Sequence, residues 1–363
     1  MPRQDPRLDS AAQTVNEQVQ DRVISHMLFL ERLKTQEANK IINRLDNDIL
    51  PDVLNKIENR IERDLSTTGT ARLQGMAATI GSITGQISTE LKDELSQLAD
   101  DEAKWQIGAI RETLDADIDM AAPAPELLRE AVQDRPFDGF TLQQWMDKLD
   151  NSTQDNLTGA IQRGVAQGET NDQIMRRIRG MRAAGFADGV LQTTRNQAET
   201  VTRSAVQHVS NQARTEVFKA NDDVVKKVQW VATLDTRTCP VCMSLDGQTF
   251  PVDQGKRPPI HVNCRCAVTP VLKSFRELGI DKDEIPESTR ASMNGQVPES
   301  QTFGQWLKKQ PSETVDEALG PKRAKLFREG NLDVKEFVNR RDQTLTLDQL
   351  RQKEASAFER AGV

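Results

Sequence analysis

Four cysteines and a histidine crowd into one short segment, and this feature constrains the fold more than any other. The 363-residue chain contains four cysteines in total, all within 28 residues that also hold one of its three histidines. The pattern is C-x2-C, an 18-residue gap, then H-x2-C-x-C, and its members are Cys239, Cys242, His261, Cys264 and Cys266. Thiols clustered in this way predict a metal site that ties two parts of the chain together.

The spacing also predicts which metal and how many ligands. A C-x2-C turn points both thiolates at one centre, and zinc prefers four such ligands in a tetrahedron. The second half offers His261, Cys264 and Cys266 for the two remaining positions. In an extended segment Cys264 and Cys266 point to the same side, so either can join the histidine. We therefore predict a structural Zn²⁺ bound by Cys239, Cys242 and two of these three, with one candidate spare.

Two other interpretations of the cluster remain open. Two disulfides, or four unrelated thiols, would need an oxidising compartment, whereas the polar N-terminus lacks an apolar signal segment and leads us to expect a reducing cytoplasm during assembly. A catalytic zinc would need an open ligand position and a nearby base. The carboxylates at hand are Asp235, Asp246 and Asp253, and Asn263 stands where zinc deaminases carry a glutamate. We expect no enzyme activity.

Composition indicates helices with much exposed surface. Charged residues make up 28% of the chain, hydrophobic residues 36% and aromatic residues 4%, with no tyrosine. Such a chain has few large side chains for one deep core. It contains no run of about 18 apolar residues, so we expect no membrane-spanning helix and no membrane partner.

The first region, residues 1–122, predicts two long helices. Aliphatic residues recur every four positions in the first helix, namely Ile41, Leu45, Ile49, Val53, Ile57, Ile61 and Leu65. Pro51 predicts a kink or a junction between two helices, and residues 66–69 a break. A second helix is predicted from about residue 71 to residue 114. These helices either pack on each other as a hairpin or present an apolar stripe to another protein chain.

The proline-rich residues 121–125 separate this region from a central domain at residues 123–275. Strands are predicted at residues 228–233 and 267–271, the second at a sheet edge because Pro270 cannot donate a hydrogen bond. Asp246-Gly247 predicts a tight hairpin that joins residues 243–245 to residues 248–250. Together these form a zinc knuckle at residues 228–272. Capping boxes predict helix starts at Thr141, Thr170, Thr302 and Thr346.

The C-terminal region, residues 276–363, is predicted to be helical, and Gly320-Pro321 marks the end of one helix and the start of the next. The fold class is therefore mainly α with a small zinc-stapled β region (α+β). It combines long N-terminal helices, a central helical domain with a zinc knuckle, and a helical C-terminal tail.

A local basic face interrupts an acidic chain. The net charge is −7, yet residues 159–220 hold nine Lys or Arg and five Asp or Glu. Four arginines, Arg176, Arg177, Arg179 and Arg182, cluster on one short predicted helix. They suit binding to DNA phosphates. The plainer interpretation is a solvated face or a contact with an acidic partner.

Three segments around the cysteines together resemble a known family. They read DTRTCPVC at residues 235–242, LDGQTF at 245–250 and PPIHVNCRC at 258–266. These segments resemble the core of the phage Mu F-like minor head proteins. The helix upstream, which carries Arg203, Asn211, Arg214 and Asn221, resembles the segment that precedes that core. The resemblance is strongest at residues 190–275 and does not reach the first 120 residues.

The resemblance implies a low-copy structural protein of a tailed-phage head, located inside the head near the portal vertex and needed for head assembly. It implies the portal protein and the major capsid protein as partners, and contact with genomic DNA or a role in DNA ejection in some relatives. The N-terminal helices would then bind the portal, a capsid protein or another copy. The competing hypotheses are a zinc-dependent nuclease or toxin-like enzyme that shares the knuckle, and a DNA-binding module.

Overall fold

The computed structural model describes residues 15–49, 51, 70–114, 118–185, 187–280, 289–298 and 300–363. Within these ranges the chain is mostly helical and includes two small antiparallel sheets. The predicted class, mainly α with a small β region, is confirmed in this respect, and the second sheet adds to it.

Two long helices form the N-terminal region. They are α1 (Val15–Arg44), which ends in a π-helical turn (Leu45–Ile49), and α2 (Thr70–Leu114). A π-helical turn precedes Pro51, where a proline ring would clash with the carbonyl four residues earlier in a regular helix. The predicted kink or helix junction at Pro51 involves neighbours that lie outside the described residues and stays a prediction. The predicted α2 is confirmed. The predicted break at residues 66–69 lies outside the described residues.

Four helices and a short 3-10 turn form the central region. They are α3 (Pro125–Gln133), α4 (Leu142–Ala166), α5 (Asn171–Arg179), the 3-10 turn (Arg182–Ala184) and α6 (Leu191–Ala220). The capping boxes predicted at the starts of α4 and α5 are confirmed. The Thr141 hydroxyl accepts from the Gln144 N–H at 3.3 Å, and the Gln144 side chain accepts from the Thr141 N–H at 2.9 Å. The Thr170 and Gln173 pair repeats this arrangement.

Helix α6 is the centre of the packing. Both α1 and α2 pack against it, and their buried aliphatic side chains join one apolar cluster with α3 to α6 and the sheet. The described parts of α1 and α2 thus bury their apolar stripes within this chain, besides contacting each other. The proposed division at residues 122 and 275 stays a prediction. No helix among the described residues is long and apolar enough to cross a membrane.

The β region follows α6. Its elements are β1 (Val225–Val231), α7 (Pro240–Leu245), β2 (Thr249–Phe250) and β3 (Ala267–Leu272). The strands form an antiparallel sheet in the order β2-β1-β3, with Val228 opposite both Phe250 and Pro270. Strand β3 lies at an edge, as its proline predicted.

The hairpin predicted around Asp246-Gly247 is wrong. Residues 243–245 belong to α7, and β2 pairs with β1 instead of with the segment before the turn. Pro240 occupies the first helical position, where its fixed φ favours a helix start, and Cys239 caps that start. Gly247 has φ +77, so the turn itself exists, but it joins a helix to a strand.

The C-terminal region begins with a hairpin that was not predicted. Its strands are β4 (Thr289–Ser292) and β5 (Gly295–Pro298). The expectation of helix alone after residue 275 is therefore wrong. The available signal was Asn294-Gly295, a dipeptide typical of hairpins, which here spans the end of the turn and the first residue of β5.

Short helices then complete the chain. They are α8 (Phe303–Lys308), α9 (Ser312–Leu319), α10 (Pro321–Arg328), a 3-10 turn (Val334–Phe337), α11 (Leu347–Lys353) and α12 (Ala355–Ala361). The predicted capping boxes at Thr302 and Thr346 are confirmed. Gly320 ends α9 with φ +74 and Pro321 opens α10, also as predicted. These helices bury a second apolar cluster that includes Trp230, Trp306 and three of the cysteines.

A buried carboxylate fastens this C-terminal region to the sheet. Asp246 accepts hydrogen bonds from the Ala232 N–H at 2.8 Å and the Phe303 N–H at 2.7 Å. The Arg290 guanidinium donates to both of its oxygens at 3.0 Å. Asp246 and Arg290 are each 1% exposed, so the pair is shielded from water. Asp246 thereby links the end of β1, the start of α8 and strand β4.

Replacing Arg290 with alanine should lower the free energy of unfolding by about 3 kcal/mol, because the Asp246 carboxylate would remain buried without its cation. Urea unfolding followed by tryptophan fluorescence measures this, since Trp230 and Trp306 lie in the same apolar cluster. Arg276→Ala is the matched control, because Arg276 is exposed. A loss no larger than that of the control would contradict a structural role for the pair.

Candidate metal centre

The first half of the cluster is one turn of helix. Cys239 is the N-cap of α7, and its Sγ accepts from the Cys242 N–H at 3.4 Å. This contact places the two sulfurs on the same side of the helix start, with Cys239 half-buried and Cys242 buried. Pro240 suits this position, because the N–H that proline lacks would have no hydrogen-bond partner in the first turn of a helix.

The second half returns to the same point through a sharp turn. Asn263 adopts φ +57, a left-handed conformation that asparagine tolerates better than most residues. The Cys264 N–H donates to the His261 carbonyl at 3.3 Å and closes the turn. Consequently the side chains of His261 and Cys264 both face the sulfurs of α7.

Three separations between donor atoms are close to those of a tetrahedral metal site. His261 Nε2 is 3.2 Å from Cys239 Sγ and 3.4 Å from Cys242 Sγ, and the sulfurs of Cys242 and Cys264 are 3.9 Å apart. With zinc bonds of about 2.3 Å to sulfur and about 2.0 Å to nitrogen, a tetrahedron has nitrogen–sulfur separations of roughly 3.6 Å and sulfur–sulfur separations of roughly 3.8 Å. The cluster can therefore hold a metal ion.

The fifth candidate, Cys266, also reaches the cluster. Its sulfur lies within 4.8 Å of those of Cys242 and Cys264, and Cys239, Cys242 and His261 form a second such group. Cys242 belongs to both groups. All five residues predicted from the sequence thus converge on one place. All four cysteines of the chain are free thiols, which contradicts the disulfide interpretation.

The cluster is strongly polarised. Hydrogen bonds, from Cys242 first and then from His261, lower the pKa of Cys239 to about 4. Hydrogen bonds to Cys239 and Cys264 raise the pKa of His261 to about 11. Negative charge therefore collects on the Cys239 sulfur, and a positive charge balances it on the imidazole. A bound cation would supply that positive charge in place of the imidazole proton.

The imidazole is oriented for metal binding by its other nitrogen. His261 Nδ1 lies 2.7 Å from the Val262 carbonyl oxygen. Because a carbonyl only accepts, Nδ1 carries a proton and Nε2 faces the two sulfurs. Metal-bound histidines usually donate their second N–H to a carbonyl or carboxylate in this way.

Helix α6 holds the second half of the cluster in place. Gln207 Nε2 donates to the Cys266 carbonyl at 2.5 Å, and Asn211 Oδ1 accepts from the Val268 N–H at 3.3 Å. The Ser204 hydroxyl accepts from the Asn263 N–H at 2.9 Å. Sequence reasoning missed Ser204 and Gln207 and gave Asn211 no role. The available signal was a polar stripe, spaced by three and four residues, on a helix otherwise rich in alanine and valine.

Asp235 has a structural partner. The Arg265 guanidinium donates to its Oδ1 at 2.7 Å, and the Arg237 N–H donates to the same oxygen at 3.0 Å. Burial raises the pKa of Asp235, but the hydrogen bonds and charge of Arg265 outweigh burial, so the net pKa lies below its usual value. This carboxylate, considered above as a possible base for a nuclease, joins the loop before α7 to the second half of the cluster.

The structure separates the four arginines of the predicted basic face. Arg176 and Arg179 are exposed on α5. Arg177 is bound to Glu169, with its Nε 3.1 Å from Oε2. Arg182 lies in the 3-10 turn, and its side chain is outside the described residues. Two of the four are thus established as solvent-facing.

The comparison with protein families confirms the resemblance found in the sequence. Residues 155–269 match the family described as Phage Mu protein F like protein, a family of phage head morphogenesis proteins. The matched segment runs from within α4 into β3, so it contains α5, α6 and the complete cysteine cluster. Over this segment the chain is similar to phage head morphogenesis proteins. No curated protein and no solved structure matches the chain.

Proposed function

We propose that this chain is a structural minor head protein of a tailed bacteriophage. It is present in low copy at the portal vertex, inside the head, and binds the portal protein and the major capsid protein during head assembly. The observation that carries the proposal is the family match over the segment that holds the cysteine cluster. Contact with packaged DNA, or a part in its ejection, belongs to the same proposal.

The proposed ion is a structural Zn²⁺ bound by Cys239, Cys242, His261 and Cys264. Soft thiolates with one imidazole are the donors that zinc prefers, and three of the six separations among these four residues are close to those of a tetrahedron. Cys266 is then the spare candidate, a fully buried thiol whose carbonyl is bound to α6. Four protein ligands leave no position for a water molecule, which supports a structural role over the nuclease alternative.

The zinc would join two parts of the protein that otherwise share little apolar surface. Cys242, Cys264 and Cys266 belong to the apolar cluster of the C-terminal helices, while α6 and β3 belong to the cluster of the N-terminal and central helices. The segment between β2 and Cys264 contributes few buried side chains. An ion with four ligands stabilises such a segment where a hydrophobic core cannot.

Substituting the second-half cysteines one at a time tests the ligand set. Purified wild-type protein should contain one zinc per chain, and zinc-edge absorption should show three sulfurs and one nitrogen. Cys264→Ser should lose the zinc, and the matched change Cys266→Ser, two residues away, should keep it. The opposite pattern would make Cys266 the ligand. A shell with bound water, or protein without zinc, would overturn the structural knuckle.

Partner binding is tested by co-expression of the full chain with the portal protein of the same phage and, separately, with its major capsid protein. We expect co-purification with the portal protein and recovery of the chain from purified heads. Leu28 is 62% exposed on α1, and we propose that this helix provides the contact. Leu28→Asp should therefore weaken portal binding at least tenfold, the cost of about 1.4 kcal/mol at 25 °C.

Met293→Asp is the matched control for that experiment, because Met293 is also an exposed apolar residue, 54% exposed, but lies in the β4–β5 turn. Equal effects of the two variants would contradict a contact through α1. Failure to bind either head protein, together with absence from purified heads, would contradict the proposed function as a whole.

DNA contact is proposed for the exposed side of α5. Arg176 and Arg179 are three residues apart and exposed, which suits them to adjacent phosphates. If both contact DNA, the double variant Arg176→Ala/Arg179→Ala should reduce the slope of log affinity against log salt by about 1.8. Fluorescence anisotropy with duplex DNA at several salt concentrations measures it. Arg340→Ala/Arg341→Ala, a second exposed pair, is the control, and an unchanged slope in the α5 variant would exclude this face.

A further inference from the structure

Helix α1 is docked through a stripe that is unusually polar for a buried helix face. Val19, Val23 and Leu30 are the buried apolar residues along it. Between and beyond them lie three polar residues that are also buried, Gln20 at 1%, Lys34 at 2% and Glu37 at 6% exposure. Because residues three and four apart share one face of a helix, all these side chains point into the same groove. That groove is formed by α2, α6, β3 and β4.

At the centre of the groove, an ionic group joins three helices. His26 on α1 places its Nε2 2.7 Å from Glu102 Oε2 on α2, and the other oxygen of Glu102 accepts from the Nε of Arg214 on α6. The His26 ring stacks on Trp105 with centroids 3.8 Å apart. Glu102 and Arg214 are almost fully buried. Helix α1 therefore covers a charged pair that would otherwise meet water.

Several buried polar atoms in this region have no partner among the described residues. They are Gln20 Nε2 and Glu37 Oε2 on α1, Ser88 Oγ, Gln106 Nε2 and Gln106 Oε1 on α2, and Ser210 Oγ and Arg214 Nη2 on α6. A buried polar atom without a partner loses its hydration and gains nothing in return. Undocking α1 would return the unpaired atoms of α1 to water. The hydration free energy that these atoms regain offsets part of the stabilisation that comes from burying apolar area.

Lys34 adds to the cost of docking. Its ammonium group bonds to Glu31, one helical turn earlier on the same helix, at 2.5 Å. This partner moves with α1, so the bond survives undocking. Burial lowers the pKa of Lys34, which reflects the cost of removing its charge from water. Undocking recovers that cost without breaking the bond to Glu31.

The ion pairs that hold the edges of α1 are exposed. Arg44 is 2.6 Å from Glu90, Lys40 is 2.9 Å from Glu94, and the partners in both pairs are a third or more exposed. Exposed pairs of this kind contribute little to stability. A further pair joins α1 to α6, where half-buried Arg203 donates to Glu31 at 2.9 Å. The apolar residues of the stripe supply the rest of the force that keeps α1 in its groove.

We propose that α1 is a displaceable helix, which leaves its groove in a local opening while α6 and the β1–β3 sheet stay folded. The opening uncovers the Glu102–Arg214 pair and the apolar sides of α2 and α6. Local openings of this kind occur where an element is held by few well-satisfied contacts. The proposal rests on the packing of α1 and is independent of the proposed role in the phage head.

Hydrogen exchange measured by mass spectrometry on the full chain tests the opening. Amides of residues 15–44 should exchange at least tenfold faster than those of α6 and β1, after correction for intrinsic rates. Their exchange should also depend less on urea than global unfolding does, because a local opening exposes less surface. If α1 exchanges only together with α6 and β1, the proposal is wrong.

Two matched substitutions on α1 test the physical cause. Gln20→Leu removes a buried amide whose Nε2 has no described partner, and Gln36→Leu makes the same change on the exposed side of the same helix. We expect Gln20→Leu to slow exchange of α1 by about tenfold, the equivalent of one buried unpaired group. Exchange of α6 should not change, and Gln36→Leu should leave α1 as in the wild type. Equal effects of the two variants would refute the proposed cause.

Discussion

The hydrogen bonds from the polar side chains of α6 are the interactions on which the rest of the structure depends. Arg203 binds Glu31 of α1 at 2.9 Å, and Arg214 binds Glu102 of α2. Asn211 holds the strand that follows the cysteine cluster. Each of these residues fastens a different segment to one helix, so α6 fixes the position of elements that are distant in sequence.

Asn221, just after α6, shows the same principle at the boundary of the central region. Its side chain accepts from the Ala121 N–H at 2.7 Å and donates to the Ala121 carbonyl at 2.9 Å, which satisfies both backbone groups of that residue. The proline-rich segment 121–125 is therefore held at a defined point. A linker signal in a sequence describes only the backbone propensity of a segment. Here one asparagine 100 residues away is sufficient to fix the position of that segment.

The features that could be predicted from the sequence are those whose cause lies within a few residues. A threonine and the glutamine three residues later satisfy each other's backbone within one turn, so all four capping boxes were visible. The cysteine cluster was visible because its members are close in sequence. The partners of α6 were not, since Asn211 meets Cys266 across 55 residues and Arg214 meets Glu102 across 112. The hairpin prediction at Asp246-Gly247 was wrong for a different reason, because the dipeptide specifies a turn but not whether a helix or a strand precedes it.

The polar groups along α6 are not equally well hydrogen-bonded, so the two sides of this helix differ in rigidity. Toward the cysteine cluster, the Asn211 amide both donates, to the Gln207 carbonyl at 2.9 Å, and accepts, from the Val268 N–H. Toward α1 and α2, Ser210 Oγ and Arg214 Nη2 have no partner among the described residues. Buried networks that are fully satisfied rigidify a structure, whereas partly satisfied ones weaken it. The side of α6 that carries the cysteine cluster is thus a rigid support, whereas the side that receives the N-terminal helices combines ionic bonds with buried polar atoms that have no described partner, so it is the less rigid of the two.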